Sequence, residues 1–517
     1  MTQDEVRAAA ERLVQFHERF APLFGKEQAQ DHAYTYVKGL MVCPERKSIE
    51  PIALNVGDGQ VSALQKFINN APWDHDDVQA EVQSVFADEL VPTAVGSPIG
   101  TVGVIDESGF AKKGVHSAGV ARQHNGRLGK EDNCQVGVFL VGVTPGGSAM
   151  LDHQLYLPES WCEDTEECWK RREKVQIPER VAFQTKPQIA AGLIRMTLLL
   201  GVVTLDWITA DEEYGRNGEF LDELETLEHR YVVEVPINTT VWTEDPASCV
   251  PPYGGRGRVP TLPSRESVAS VVMVASDLSG AAWQTLQIRE GAKGPLAFEF
   301  AAVRVWAVRH GNAGPPVWLL VRRSLDPTPE VKYYISNADA STPLKVLAEV
   351  ACTRHAVEDY FEDAKSYLGM AQYETRSWVG WHHHMSLVAM AHLFVTLTRR
   401  DLKKNAGADV GPDGSAASEG IRVSGAATGV GGVAGEVPHP PQRGRPAIAH
   451  QDLVGSAQGG EAPTPVGRVS VECRRDPAAR TRHGERGWCV PTRRADRPKP
   501  LPVRTQHNTF TFEVGNC

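Results

Sequence analysis

Two apolar runs that each end in an aspartate constrain the fold of this chain most strongly. The pattern predicts buried strands over 101–105 and 205–210, which Asp106 and Asp211 follow directly. A carboxylate at the end of a buried strand is costly to bury without a partner or a metal ion. Acids at the ends of neighbouring strands can converge on one point, so each aspartate strengthens the interpretation of the other. Taken alone, Asp106 is explained equally well as the start of a strand-end turn.

The segments around these runs predict a mixed α/β sheet. Strand-like runs over 134–143 and 149–157 are separated by the turn residues 144–147, and a helix is expected from about Pro187 to Leu200. A further strand is expected over 231–235. The resulting order is one strand, two further strands, a helix and a strand, and more than one α/β fold shares it.

A long amphipathic segment begins after these strands, at Thr342 and Pro343, which together predict a helix start. Its apolar residues keep helical spacing, so we expect one continuous helix with one face on the core. Arg354, Glu358 and Lys365 fall on a common face and place a carboxylate between two cations. The spacing alone favours an ordinary solvated helix edge with an ion pair.

The spacing Arg354-x3-Glu358-x6-Lys365 resembles the signature of the IS4-like branch of the DDE transposases, although this chain has Ala351 where that signature carries a tyrosine. Residues 369–384 narrow the resemblance to the IS701 family of transposases. The segments 104–114 and 210–217 are similar to that family too. The matching blocks together cover roughly residues 10 to 400.

The resemblance implies an α/β fold with an RNase H-like mixed sheet, and the predicted strand order agrees with it. Apolar residues near the N-terminus keep helical spacing, and strand-like runs separated by turns follow residue 236. These patterns predict a helical segment before the sheet and a β-rich segment after it. The predicted domains are a helical N-terminal module that is a candidate for binding DNA ends (1–95), the first part of the catalytic core (96–236), a β-rich insertion (237–341), the glutamate helix with the helix after it (342–404), and a low-complexity, partly basic, disordered tail (405–517).

The resemblance also implies a catalytic site. Asp106, Asp211 and Glu358 are expected to be the catalytic and metal-binding carboxylates, and they would hold two Mg²⁺ ions, with Mn²⁺ as a substitute. Oxygen-only ligands favour these ions over zinc. Arg354 and Lys365 are expected to bind DNA phosphates.

Further residues are candidates for contact with DNA. Lys112 and Lys113 lie on an expected loop after the first strand, where they either contact phosphate beside the carboxylates or are simply solvated. Trp242 and Trp306 lie in the β-rich insertion, and in the IS4-like transposases a tryptophan from such an insertion can stack on a flipped base. Burial in the core is the commoner role of such a tryptophan.

Composition limits how this protein can bind nucleic acid, the state of its cysteines and where it is located. The formal net charge of −10 over 517 residues excludes a general basic coat for nucleic acid but leaves local basic grooves open. The nine cysteines lack zinc-knuckle spacing, so reduced thiols are expected. No apolar run has the length of a membrane span and no signal peptide is recognisable, so we expect a cytoplasmic, nucleoid-associated protein.

The tail allows three interpretations. Residues 474–504 contain ten Lys and Arg against three Asp and Glu, among several prolines. Such a segment is typical of a disordered tail or of a nonspecific DNA-binding arm. A shifted reading frame is the third alternative, because the segment does not resemble the ends of the family.

The resemblance implies a cut-and-paste transposase, a DNA endonuclease and strand transferase whose partners are the transposon ends and target DNA. A homodimer is expected in the paired-end complex. Two alternatives stay open: an RNase H-like nuclease without strand transfer, and a catalytically defective derivative that only binds element ends.

Overall fold

The computed structural model describes residues 3–126, 129–255, 259, 261, 263–291 and 294–408. The tail expected over 405–517 therefore lies almost wholly outside the described residues. Among the described helices, none is both long and apolar enough to cross a lipid bilayer.

The chain begins with a module of helices, as the sequence predicts. Asp74 caps its last helix by accepting a hydrogen bond from the backbone N–H of Asp76 at 2.9 Å. Phe20, Leu40, Phe67 and Phe86 are buried in its core. The helices are α1 (Gln3–Phe20), α2 (Glu27–Val42), α3 (Ile49–Asn55), α4 (Val61–Asn69) and α5 (His75–Glu89).

The central sheet follows this module. In it, β3 pairs antiparallel with both β1 and β4, while β5 runs parallel to β1 and β6 runs parallel to β5. The spatial order β4-β3-β1-β5-β6 is that of an RNase H-like sheet, so the expected fold is confirmed. The strands are β1 (Val102–Ala111), β2 (Ala121–Asn125), β3 (Lys130–Thr144), β4 (Gly147–Leu155), β5 (Trp207–Ala210) and β6 (Tyr231–Val235).

Helices connect these strands. The longest crossover helix begins with a capping box, in which Thr185 and Gln188 bond each other's backbone N–H groups. It ends at Gly201, whose φ of 64° closes the helix in the left-handed conformation. The helices of this part are α6 (Glu166–Lys174), α7 (Lys186–Leu200), α8 (Glu212–Gly215) and α9 (Gly218–Thr226).

The β-rich segment extends the same sheet. Its last strand, β12, pairs antiparallel with β6, and β11, β10, β7 and β8 continue outward from it, while β9 pairs with β10. The elements are β7 (Thr240–Trp242), β8 (Val268–Ser270), α10 (Val271–Ser276), β9 (Gln284–Gly291), β10 (Gly294–Arg309), β11 (Asn312–Arg323) and β12 (Val331–Ser336). The division of the chain into domains stays a prediction.

Three expected elements differ from the observed ones. Among the turn-separated strands expected after residue 236, β8 is short and ends at Ser270, because the Ser270 hydroxyl caps a helix by accepting from the N–H of Met273. The first strand does not end at Asp106 but continues to Ala111, since it keeps pairing with β3. The helix expected to be continuous is divided at Arg354 into α11 (Leu344–Thr353) and α12 (His355–Tyr367).

The last described helix is α13 (Trp378–Ala408). The ring of Trp381 lies 6.2 Å from that of Phe139 on β3, and Phe361 of α12 lies 5.3 Å from the same ring. Lys186 of α7 instead pairs with Glu107 of β1. Successive residues of a strand point to opposite faces. The α12–α13 pair and α7 therefore cover opposite faces of the sheet.

Candidate active site

A row of three carboxylates crosses the centre of the sheet. Ile105 of β1 is in register with Ala210 of β5, and Ala210 is in register with Val233 of β6. One residue further along each strand stand Asp106, Asp211 and Glu234, respectively. Adjacent strands lie about 4.8 Å apart, so these three residues are neighbours. The convergence of Asp106 with Asp211 follows from this register.

Glu358 reaches the row through Arg354. Arg354 Nη2 donates to Glu358 Oε1 at 2.8 Å, and Arg354 Nη1 lies 3.4 Å from Asp106 Oδ2. The third nitrogen of the guanidinium, Nε, lies 3.7 Å from Glu234 Oε2. The junction between α11 and α12 thus places a cation among acids from β1, β6 and α12.

Burial disfavours the ionised form of the acids in this cleft. Burial and, after it, the charge of Asp211 raise the pKa of Asp106 to about 7, while Arg354 opposes both effects. Burial likewise raises the pKa of Asp211. Because the single charge of Arg354 does not restore an ordinary pKa to Asp106, the cleft favours an additional cation.

Two buried polar atoms beside the row also lack partners. The Tyr214 hydroxyl and Glu107 Oε2 are enclosed and make no hydrogen bond to any described residue. Burial raises the pKa of Tyr214 well above its usual value, and the charges of Glu107 and Asp106 add to that effect. Asp106, Asp211 and Glu358 offer only oxygen donors, and such a set fits a hard divalent ion such as Mg²⁺ or Mn²⁺.

A different cluster brings potential metal-ligand atoms closest together. Among the described residues, only Asp74, His75 and Asp76 hold three such atoms within 4.8 Å of one another. They are consecutive residues at the start of α5 and are separate from the carboxylate row. The carboxylates of Asp106 and Glu358 are set wider apart, with Arg354 between them.

Lys365 lies beside the row, as the sequence predicts. Its Nζ donates to the hydroxyl of Ser108 at 2.6 Å. Ser108 is two residues beyond Asp106 on β1, so both side chains point to the α12 face of the sheet. Arg354, Glu358 and Lys365 therefore share the α12 side of the carboxylate cleft.

The structure does not bring Lys112 and Lys113 to the carboxylates. They follow the end of β1, and Lys112 is six positions beyond Asp106, which is about 20 Å along an extended chain. The Lys112 ammonium lies 3.5 Å from the centre of the Tyr373 ring, and burial lowers its pKa to about 7. Lys113 is exposed. The sequence predicted a loop directly after Asp106, but β1 continues to Ala111 and carries both lysines away from the carboxylates.

Trp242 lies in the core and not on an accessible surface. It is 2% exposed on β7, in register with Trp306 of β10, which is half-buried. Its indole Nε1 has no hydrogen-bond partner among the described residues. The Trp242 ring offers no free face for a DNA base in this conformation. Ala351, where the signature has a tyrosine, is buried on α11.

Sequence reasoning missed Glu234 and its partner Lys332, whose Nζ donates to Glu234 Oε1 at 2.9 Å. The available signal was an acid that interrupts the apolar strand 231–235. It also missed the ion pair between Lys186 Nζ and Glu107 Oε1, which lie 2.5 Å apart. Glu107 adjoins Asp106 in the chain, but only the sheet shows that it faces the other way.

The strand order of this sheet is that of the RNase H-like nucleases and their relatives. A family model described as "DDE superfamily endonuclease" matches residues 19–295, more than half of the chain. The chain therefore belongs to the DDE superfamily endonucleases. The matched region contains Asp106, Asp211 and Glu234 and ends before Glu358.

Two individual proteins are similar to parts of the chain. A protein titled "Probable transposase for insertion sequence element IS701", from Microchaete diplosiphon, is 31% identical over 195 residues, 38% of this chain and 46% of that protein. The chain thus matches about half the length of this relative, and the resemblance to the IS701 family is confirmed. The NurA nuclease from Sulfolobus solfataricus is 10% identical over 48% of this chain and 72% of that one, and its TM-score of 0.22 is too low to support an argument.

Proposed function

We propose that this protein is a cut-and-paste DDE transposase, which cleaves the DNA strands at the ends of an insertion sequence and joins them to target DNA. The observation that carries the proposal is the register that sets Asp106 beside Asp211, with Glu358 joined to them through Arg354. Membership of the DDE superfamily endonucleases supports it. The proposed setting is the nucleoid, with a homodimer acting on paired ends.

In the proposed mechanism, the acids of the cleft hold metal ions and its cations hold DNA. Asp106, Asp211 and Glu358 would hold two Mg²⁺ ions, or Mn²⁺ in their place. Bound divalent ions lower the pKa of an attacking hydroxyl and stabilise the leaving oxygen of a phosphodiester. Arg354 and Lys365 border the same cleft and would hold the backbone phosphates in line for attack.

An RNase H-like nuclease that does not transfer strands is the second candidate. It is favoured by the description of the family model, which names an endonuclease, and by the end of that match before Glu358. Strand transfer leaves an observable product, because each insertion joins element DNA to a target. Recovered insertions with short target duplications would exclude the nuclease.

The test incubates the purified protein and Mg²⁺ with a plasmid that carries its gene and native flanking DNA. Products are resolved on a denaturing gel beside those of Asp106→Asn, Asp211→Asn and Glu358→Gln. We expect excised, hairpinned ends from the wild type and none from the three variants, all of which should still bind the flanks. Glu225→Gln is the matched control, since Glu225 pairs with buried Arg309 outside the cleft.

Cleavage that persists in any of the three variants would remove that residue from the site. Binding of the flanks without cleavage by the wild type would instead favour a defective derivative. These two results differ in the band pattern of the wild-type lane, so one gel separates them.

A further inference from the structure

Glu234 is a buried acid on which two cations converge. It is 9% exposed on β6, and its two carboxylate oxygens face different partners. Oε1 accepts from Lys332 Nζ at 2.9 Å, and Oε2 lies 3.7 Å from Arg354 Nε. A buried carboxylate is stable only when it is paired. Lys332 alone satisfies that need, so the approach of Arg354 calls for a separate explanation.

The explanation lies in the shape of the arginine. A guanidinium is a rigid planar fork, so a contact that holds its Nε edge also sets the direction of both terminal nitrogens. In Arg354 these nitrogens point to Asp106, at 3.4 Å, and to Glu358, at 2.8 Å. If Asp106 and Glu358 took other partners, the contact at Nε would still hold one edge of the fork.

Lys332 keeps this anchor in place. It stands two residues from Tyr334, which is the register partner of Glu234 on β12. Lys332 therefore lies diagonally across from Glu234 on the same face of the sheet. Its ammonium binds Oε1 and leaves Oε2 turned to Arg354. The backbone pairing of β6 with β12 thus fixes the anchor independently of DNA.

We propose that Glu234 is a positioning residue that, with Lys332, holds the Nε edge of Arg354 and directs its terminal nitrogens to the DNA phosphate in the carboxylate cleft. The inference rests on the proposed function, in which Asp106 and Glu358 would release those nitrogens on binding metal ions. In this proposal Glu234 contacts neither the metal nor the DNA.

The direction in which Glu234→Gln changes DNA binding distinguishes a positioning role of Glu234 from a simple effect of its charge. Glu234→Gln removes a negative charge from a DNA-binding cleft, which by itself strengthens binding to phosphate. If Glu234 positions Arg354, the same change weakens binding. It also lowers the slope of log K against log salt by about 1, the contribution of one phosphate contact.

The experiment measures binding across a range of KCl concentrations, with Ca²⁺ in place of Mg²⁺ so that DNA stays uncut. The probes are a short duplex from the gene's native flank and an unrelated duplex of equal length. We expect Glu234→Gln and Arg354→Gln to reduce the slope of log K against log salt by the same amount. The double variant should reduce it no further than either single variant does. Glu225→Gln, which changes a carboxylate paired with Arg309, should keep the wild-type slope.

Stronger or unchanged binding by Glu234→Gln would overturn the proposal, and so would slope losses that add in the double variant. An absence of any binding by the wild type would overturn it too. Thermal unfolding checks that each variant is folded. If Glu234→Gln is not, Glu234→Asp keeps the charge but is one methylene shorter, and it must weaken binding as well. The expected slopes without Mg²⁺-dependent cleavage would support the positioning role and overturn the proposed transposase.

Discussion

Asp106 illustrates at the residue scale how a buried acid becomes a candidate metal ligand. Its position within β1 removes it from water, and Asp211 adds a like charge from the neighbouring strand. Arg354 offsets these effects only in part, which leaves the pKa of Asp106 raised to about 7. A divalent ion would restore the ionised form of Asp106 because it supplies more charge at shorter range.

Trp242 allows a prediction about a single side chain. Because its ring is buried against the sheet, Trp242→Phe should lower the free energy of unfolding by about 1–2 kcal/mol and leave DNA cleavage unchanged. Urea denaturation and the plasmid cleavage assay measure the two effects separately. Unaltered stability together with loss of cleavage would show that the ring reaches a DNA base.

At the scale of elements, the close approach of α8 to β6 holds two of the acids together. Asp211 caps the start of α8, where its Oδ1 accepts from the N–H of Glu213 at 2.9 Å. Gly215 ends that helix against β6, and a Cβ added there would meet the backbone oxygen of Glu234 at 1.9 Å. Only glycine permits this packing without a shift of the backbone.

Gly215→Ala should therefore separate α8 from β6. We expect a loss of about 1–3 kcal/mol in the free energy of unfolding, as for other overpacked sites, and slower cleavage, because Asp211 moves with the helix. Gly192→Ala on α7 is the control. A Cβ at Gly192 meets nothing within 4 Å, so this change should leave stability unaltered or raise it by up to about 1 kcal/mol. Equal effects of the two substitutions would contradict the packing argument.

At the scale of the whole molecule, α13 joins the N-terminal helices to the sheet through buried histidines. His384 Nδ1 lies 2.9 Å from the Tyr36 hydroxyl of α2, and His383 Nδ1 lies 2.9 Å from the carbonyl oxygen of Ile68 in α4. His382 stacks on His153 of β4. The three consecutive histidines thus face different elements, as expected for a packed helix.

Acid should weaken this junction. Burial lowers the pKa of His153 and His384 to about 3, and that of His383 and His392 to about 4. These rings stay neutral in the fold but take up protons near pH 6.5 when the chain unfolds. Their contribution to stability is complete above pH 6.5 and is lost as the pH falls toward the folded pKa values. In that window each of these histidines lowers the free energy of unfolding by about 1.4 kcal/mol for every unit that the pH falls.

The free energy of unfolding, measured by urea denaturation between pH 7.5 and 5, should therefore fall as the pH is lowered. Asp106 and Asp152, whose pKa values burial raises to about 7, take up protons in the fold over the same range and offset part of the fall. His392→Gln removes one of these groups and should reduce the slope by about one proton. An identical slope in this variant and in the wild type would show that His392 does not stay neutral in the fold.

The sequence alone determined the order of elements and most of the acidic site. Apolar periodicity and capping residues act over a few positions, so β1, α5, α7 and the segment that carries Glu358 could be predicted from local pattern. The strand-end acids followed from the same pattern. The motifs then indicated the DDE superfamily, which the match over 19–295 confirms.

Only the tertiary structure decided which side chains meet. The register of β5 with β6 brings Glu234 beside Asp211, and no local pattern states that register, because two helices, α8 and α9, lie between the two strands in the chain. Continued pairing with β3 lengthens β1 and carries Lys112 away from the acids, while the β7–β10 pairing buries Trp242. These outcomes depend on contacts between residues far apart in the chain, where the free energy of packing overrides local preference.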